Sequence, residues 1–529
     1  MKHAKTSRIF SLLALVLAVT MLLTLVGCGN DSGKTDDKKP DTKTTVSTKA
    51  SETEDTEGTK EPDGTDATGS DATGTDASGS ETDASGSETD ASGTEGSATE
   101  GTKPTDTKPT PSKSSASQTR PTGDENILEK VPSNLSGTKI KMLIWWNVAT
   151  DDTNEAAEFK KATGISVAYE TATMDKYQSN LSGKIMAGNP PALAAIINEW
   201  YPQPITRGLM QPIKNTGWDY TDPIYATAMM DQFSYKGEHY GIALKGSNMT
   251  TFEVMFFNKK VLKANGVSKD PYQLWKAGQW NWETCLDIAK KCTNAKKDKY
   301  GLTLIYQNYW MLSKGQDFVL SDKNGLKNNI KSADLLEAWY HAWDMIHTHK
   351  VIPTMFSQQQ QLFFNGSVAM LGGGSYFMQA EASHSNYVPQ NVTDDWDVVP
   401  FPSPKGQAAV AGCKGTVWGF PTKVKGNQLQ AAMWFLRYFL DDATYSARDF
   451  YPDDKLGTHC WEVMGWMWNQ KIQSYNSVGV ITYGGKHNAA SVQYDLIDAA
   501  TTKSQLKSNL DGWYAEIQAN IEAINTEMD

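Results

Sequence analysis

Apolar residues fall along the chain in three regimes. An unbroken apolar run extends from Ile9 to about Val26, behind a basic start holding Lys2, Lys5 and Arg8. From residue 29 to residue 125 nearly every position is Thr, Ser, Asp, Glu, Gly, Ala, Lys or Pro, and Val46 is the only branched aliphatic side chain. Beyond that tract, apolar positions recur with the periods of helices and strands. A segment like 29–125 cannot bury enough apolar surface to offset its ordering entropy, so disorder is expected there. Its repeated phrase "SETDASGSETDASG", residues 80–93, has a period of seven but lacks the two apolar positions per heptad that a coiled coil needs.

In the third regime, "KIKMLIWWN" predicts a buried strand over Ile140–Trp146, because an apolar run broken by one charge suits a strand covered on both faces. "TNEAAEFKKATG" predicts a helix capped by Thr153 and Gly164, and "ISVAYE" alternates as a strand. Strand, helix, strand at this spacing reads as a right-handed parallel crossover. A second helix, "KYQSNLSGKIMAG", sets Tyr177, Leu181 and Ile185 on one face and leads through "NPP" to the strand "ALAAII". Further helices are expected in "NWETCLDIAKKCT", "SADLLEAWYHAWDMIH", "NQLQAAMWFLRYFL" and the last segment, where Leu506, Leu510, Trp513, Ile517, Ile521 and Ile524 mark one face. Strand-like runs lie between them at "EVMFFN", "SVAML", "WDVVPF" and "TVWGF". Such alternation over some four hundred residues is too much for one ordinary core and indicates two α/β lobes.

Charge follows the same division. Of the formal net charge of -11, the tract 29–125 supplies 10 basic against 22 acidic side chains, and the folded remainder carries 37 against 39. A nearly neutral folded region has no basic stripe for nucleic acid. All 17 tryptophans lie beyond residue 140, and none lies in the polar tract.

The basic start, apolar run and small residues "VGCGN" read as a secretory signal, against the alternative of a retained membrane anchor. "LVGC" resembles the bacterial lipoprotein box, which implies cleavage after residue 27 and a lipid on Cys28, now the mature N-terminus. Two or more acyl chains hold a protein stably on a membrane. The remaining cysteines, Cys285, Cys292, Cys413 and Cys460, have no metal-type spacing. Cys285 and Cys292 lie too far apart on one helix to pair, while a Cys413–Cys460 bridge and buried free thiols both remain open.

The ordered series "TGISVAY", "KIMAGNPPALAAI", "GLMQPI", "YGIAL", "FFNKKVLKANGV", "GQWNWETCLDIAKK", "LFFNGSVAML", "WDVVPFPSPKG" and "GFPTK" resembles the family 1 extracellular solute-binding proteins, the sugar-binding receptors of ABC importers. The resemblance covers nearly all of residues 138–445. It departs at "NPPAL", where the family commonly has Pro-Asp; Glu199, a few residues on, is placed to compensate. What the resemblance implies is a two-lobed, periplasmic-binding-protein-like (class II) α/β fold with crossing hinge strands, preceded by the disordered tail. The expected organisation is a signal peptide at 1–27, a tether at 28–125 and a binding domain at 126–529. Lobe 1 would take about 138–250 and 412–455, and lobe 2 about 255–410 and 456–529. The crossings would fall in "KGSNMTTFEVMFFNK" and "AGCKGTVWG".

Open parallel sheets bind ligands beyond the carboxyl ends of their strands. That rule selects Trp146 and Asn147 after the first strand, Asn198, Glu199 and Trp200 after "ALAAII", and Tyr376 after "SVAML". At the crossings it selects Asn248, Lys414 and Trp418. A sugar presents an apolar C–H face and a rim of hydroxyls, so an aromatic platform flanked by amide, carboxylate or ammonium groups suits it. Each of these tryptophans could equally be core, which is the expectation for Trp339, Trp343 and Trp434. "LGGGSY" is expected to form a flexible turn or a point of ligand approach. No phosphate-binding loop, Gly-x-Ser-x-Gly elbow or metal-binding motif is present, and His341, His347 and His349 do not share a helix face. No cofactor, metal or nucleic acid is expected, and the protein should be a monomer. The expected function is a receptor anchored on the outer face of the cytoplasmic membrane. It would bind a carbohydrate, an oligosaccharide rather than a monosaccharide, and deliver it to permease subunits served by a cytoplasmic ATPase. Competing readings are an anchored glycan hydrolase, an anchored adhesin and a receptor for a non-sugar solute.

Overall fold

The computed structural model describes residues 127–146, 155–247, 249–353, 358–378, 396–450, 459–483, 496–497 and 500–527. All of them belong to one of the two units into which the chain divides; the other, residues 30–117, lies outside the described residues, as do the signal segment, Cys28, Thr153, Asn147 and Asn248. The described residues form twelve strands: β1 Lys139–Ile144, β2 Ser166–Thr171, β3 Ala194–Ile197, β4 Thr251–Asn258, β5 Tyr300–Leu304, β6 Val319–Asp322, β7 Gly325–Asn328 and β8 Val368–Gly374. They continue with β9 Trp396–Pro400, β10 Val410–Lys414, β11 Thr416–Gly419 and β12 Lys471–Ser474.

The first crossover forms as its pattern predicts, with β1 and β2 parallel and in register from Lys139 against Ser166. The connecting helix, Glu155–Thr163, buries Ala156 and Phe159 and stops at Gly164. That glycine has a φ of +75°, and a Cβ there would lie 2.2 Å from the Ser136 hydroxyl, so a side chain would meet both strain and a clash. The strand ends at Ile144 rather than Trp146, and the two tryptophans leave the ladder to meet edge to face at 4.8 Å. The helix Tyr177–Met186 buries Tyr177, Leu181 and Ile185, the face its sequence marks. The Tyr177 hydroxyl donates to the Leu143 carbonyl and accepts from the Ala195 amide, both at 2.8 Å, which pins the helix to β1 and β3. Antiparallel pairing of β11 with β3 adds a strand from far along the chain.

A larger sheet runs β12-β10-β4-β8-β5, with β9 also paired to β4. Five of its strands, β5, β8, β9, β10 and β12, run one way, and β4 opposes them, pairing with β8, β9 and β10. Along β4 the side chains alternate between two cores. Phe252, Val254 and Phe256 join the core that contains β1, β3 and β11, while Met255 and Phe257 join the one built on the helices Trp282–Cys292, Ala333–Trp343 and Lys503–Thr526. The period of two along a strand thus makes one element common to both. Trp339 is buried as expected, and Trp343 and Trp434 are half-buried against their cores.

"LGGGSY" is not a turn. Gly372, Gly373 and Gly374 complete β8, and the space a Cβ would need at Gly374 is taken by the Tyr376 ring at 2.5 Å and the Thr251 methyl at 2.6 Å. Cys285, Cys292, Cys413 and Cys460 are buried free thiols, which decides the open question of a Cys413–Cys460 bridge. Burial pushes the Cys292 thiol up to about 11 and holds Cys285 and Cys413 higher still, so these thiols are unreactive near neutral pH.

Candidate functional site

The common direction of β5, β8, β10 and β12 sets their carboxyl ends on one edge of the larger sheet. After β5 come Tyr306, Asn308 and Tyr309; after β8 comes Tyr376; β10 ends in Lys414; after β12 comes Tyr475. Because β4 runs the other way, its beginning lies at the same edge, where Lys414 pairs with Thr251 and Glu253 with Gly374. Asn198 and Glu199 follow β3 in the smaller sheet. They are brought to this edge by two hydrogen bonds of Asn198, from its amide N to the Gly415 carbonyl at 3.3 Å and from its side-chain Nδ2 to the Tyr475 carbonyl at 3.2 Å.

Lys414 lies at the middle of this group. Its Nζ stands 4.1 Å from the centroid of the Tyr306 ring, a cation–π contact. Burial alone would lower its pKa, but Tyr306, Glu199 and Glu253 together outweigh burial and raise it, so the ammonium is kept. Glu253 is 1% exposed, and burial pushes its carboxyl up to about 8 despite the pull of Lys414 and a hydrogen bond with Tyr309. At neutral pH it is therefore mainly a neutral acid that both donates and accepts. Burial also raises the Tyr309, Tyr376 and Tyr475 hydroxyls well above their usual range, so all three remain donors.

Several of these groups are buried without a hydrogen-bond partner: Oε2 of Glu199, Oε2 of Glu253, both side-chain atoms of Asn308 and the Tyr475 hydroxyl. Buried polar atoms are nearly always paired, and leaving one unpaired costs about 1–3 kcal/mol. Others are scattered through the protein, but five such atoms fall at this one sheet edge, where the hydroxyls or amides of a bound molecule can pair with them. With the tyrosine rings they supply both apolar faces and donors and acceptors of either kind.

The residues expected from sequence divide into three sets. Asn198, Glu199, Tyr376 and Lys414 fall together at the sheet edge, in contact or within electrostatic reach of one another. Trp146, Trp200 and Trp418 do not join them as an open platform. They are 2%, 6% and 0% exposed and pack around Trp145, with Trp418 stacked on it at 5.9 Å and Trp200 stacked on Tyr177 at 4.2 Å. Their large apolar faces are satisfied by one another under the β3–β11 pair. Asn147 and Asn248 lie outside the described residues.

Sequence reasoning missed Glu253, Tyr306, Asn308, Tyr309 and Tyr475. A signal existed for Glu253, a lone acid inside "TFEVMFF". Tyr306 and Tyr475 follow β5 and β12, short strands with no clear alternation. Among the described residues no group of three or more His, Cys, Asp or Glu is arranged to hold a metal ion. His341 instead stacks on Trp282 at 4.4 Å, and burial pushes its pKa down to about 4, so it stays neutral. No helix among the described residues is long and apolar enough to cross a membrane.

No curated protein matches the chain in sequence. Solved structures do match in fold. One is a cyclo/maltodextrin-binding protein complexed with maltotetraose, at TM-score 0.55 and 18% identity, covering 72% of this chain and 98% of that one. Another is the galacto-N-biose/lacto-N-biose I-binding protein of an ABC transporter from Bifidobacterium longum, at TM-score 0.56 and 15% identity, covering 73% and 98%. A third is an extracellular solute-binding protein from Staphylococcus aureus in complex with maltose, at TM-score 0.54 and 15% identity, covering 74% and 99%. At such identities the likeness is one of fold, a periplasmic-binding-protein-like α/β architecture. The sequence itself matches the model of a family described as bacterial extracellular solute-binding protein over residues 155–456, more than half of its length. This chain therefore belongs to the bacterial extracellular solute-binding proteins.

Proposed function

We propose that the protein is a carbohydrate receptor of an ABC importer. It binds a sugar, an oligosaccharide rather than a monosaccharide, where Lys414 gathers Glu199, Glu253 and the four tyrosines, and it does no covalent chemistry on it. The observation that carries this reading is the concentration of buried, unpartnered polar atoms among tyrosine rings at the carboxyl edge of the larger sheet. Amide, carboxyl, phenol and ammonium groups beside aromatic faces match the alternation of hydroxyl rim and C–H face on a pyranose. The sugars bound by the solved structures of like fold agree with it. The two halves would close on the ligand about their crossing strands, and the loaded receptor, a monomer, would dock on permease subunits served by a cytoplasmic ATPase.

The N-terminal quarter completes the proposal. A lipid on Cys28 would hold the protein on the outer face of the cytoplasmic membrane, with the polar tract as tether. Its r.m.s. span as a flexible chain would be roughly 50–60 Å, with a limit near ~320 Å.

The test is a thermal-shift screen of purified protein against plant and bacterial oligosaccharides, repeated on Lys414→Met. A ligand that binds only the folded state raises the melting temperature, and the shift should vanish in the variant. A shift with an amino acid, a peptide or a metal and none with any glycan would overturn the sugar assignment. One observation favours a second reading, a glycan hydrolase: Glu253, its carboxyl raised by burial, and a second acidic side chain, Glu199, both lie near the same lysine. A pair of carboxyl groups facing one cleft is what glycoside hydrolysis requires. Release of reducing ends during the same incubations would select that reading.

A further inference from the structure

A groove of about 600 Å³ lies on the lobe built around the larger sheet, and it shares no side chain with the group around Lys414. Its walls are the stretch that follows the helix Pro271–Lys276 and the excursion between β9 and β10. Three half-buried tryptophans line it: Trp275, Trp280 and Trp466. Trp275 and Trp466 meet edge to face at 5.6 Å, and Trp280 is fixed by a hydrogen bond from its indole Nε1 to the Pro400 carbonyl at 2.9 Å. The rings are thus held in place rather than mobile, and each keeps part of its surface open. Gln279 and Gln407, both exposed residues, add amide side chains to the lining of the groove.

The charges near the groove cancel in pairs. Lys405 reaches Glu283 at 2.8 Å, and Lys276 pairs with Glu462. The lining thus carries one acid and one base, paired with each other, and offers no basic excess to the acidic tail of this chain, with its 22 acidic against 10 basic side chains over residues 29–125. Fixed indole surfaces, amides and zero net charge are the requirements for stacking and hydrogen-bonding a neutral sugar chain. We propose that this groove is a second carbohydrate-binding site, one that takes an uncharged polysaccharide from outside the protein independently of the ligand held at Lys414. The proposal stands whether or not that first ligand is a sugar.

The test is native electrophoresis of the full chain through gels cast with starch, xylan, mixed-linkage β-glucan or galactomannan. At least one polymer should retard the protein. The variant Trp280→Ala/Trp466→Ala should weaken that retardation about tenfold in apparent affinity. Gln279→Ala/Gln407→Ala, which alters only exposed amides, should weaken it by a smaller factor without changing the melting temperature, so a folding defect cannot account for the loss. Lys414→Met should migrate as the unaltered protein does. Absence of retardation by all four polymers, retardation that survives both groove variants, or retardation abolished by Lys414→Met would each overturn the proposal.

Discussion

Glu253 links charge to stability through a proton. Its carboxyl is raised by burial from 4.5 to about 8, beside Lys414, Tyr309, Tyr376 and the Cys413 thiol. Between those pH values the folded state holds a proton that the unfolded chain releases. The contribution is therefore full below about pH 4.5 and is lost as pH rises through about 8. Glu253→Gln, neutral at every pH, should show a smaller fall in melting temperature between pH 6 and pH 9 than the unaltered protein, measured by scanning calorimetry in matched buffers. Equal falls in both would remove Glu253 as the cause. Trp418 belongs to a different class. Wholly buried and stacked on Trp145, it should cost about 3–5 kcal/mol of stability when replaced by Ala, read as a shift in denaturant midpoint. A Trp418→Ala protein that melts normally but has lost its ligand would instead return that side chain to the site. The sequence rule that chose strand ends selected four residues that the fold gathers, since Asn198, Glu199, Tyr376 and Lys414 meet at one edge. It could not tell an indole that faces a ligand from one that faces three other aromatic rings, because both occupy the same place in a strand-to-loop pattern.

Elements were legible where their period was long or their boundary chemically marked. The Tyr177, Leu181 and Ile185 face, the Gly164 stop and the parallel pair β1 and β2 all follow from spacing and from residues with one conformational use. Short strands were not legible. β12 has only four residues, and its place beside β10 is fixed by a partner more than fifty residues earlier. Its continuation is held by Asp317, a buried carboxylate that accepts from the amides of Asn476 and Ser477 at 2.9 Å, a contact spanning some 160 residues that no local pattern encodes. The glycines of β8 were misread for a related reason. They are required by what packs against the strand, and only the fold reveals that the neighbours are Leu304 at Gly372, Phe377 at Gly373 and Tyr376 at Gly374. Gly374→Ala should drive that ring from its position, so ligand affinity should fall about tenfold while the melting temperature drops by only a few degrees. Titration calorimetry and a thermal melt on one sample separate the two effects. A large loss of stability with affinity intact would show that the strand, and not the ring, is what the glycine protects.

At the scale of the molecule, the polar tract 29–125 and the folded remainder are separated by composition alone, and hydropathy suffices to place that boundary. The division of the remainder into halves is a subtler matter, since β4 lends alternate side chains to both cores. That sharing has a thermodynamic corollary. Neither core can be lost without stripping one face from β4 and exposing Phe256 or Phe257 to water, at roughly 1.5–3 kcal/mol for each such side chain. The two halves should therefore melt as a single cooperative unit. Calorimetry should give one endotherm whose van't Hoff and calorimetric enthalpies agree; two resolved peaks would contradict this. A receptor that closes on its ligand as proposed, with halves that unfold only together, would open and close many times without either half being exposed to proteases or to aggregation.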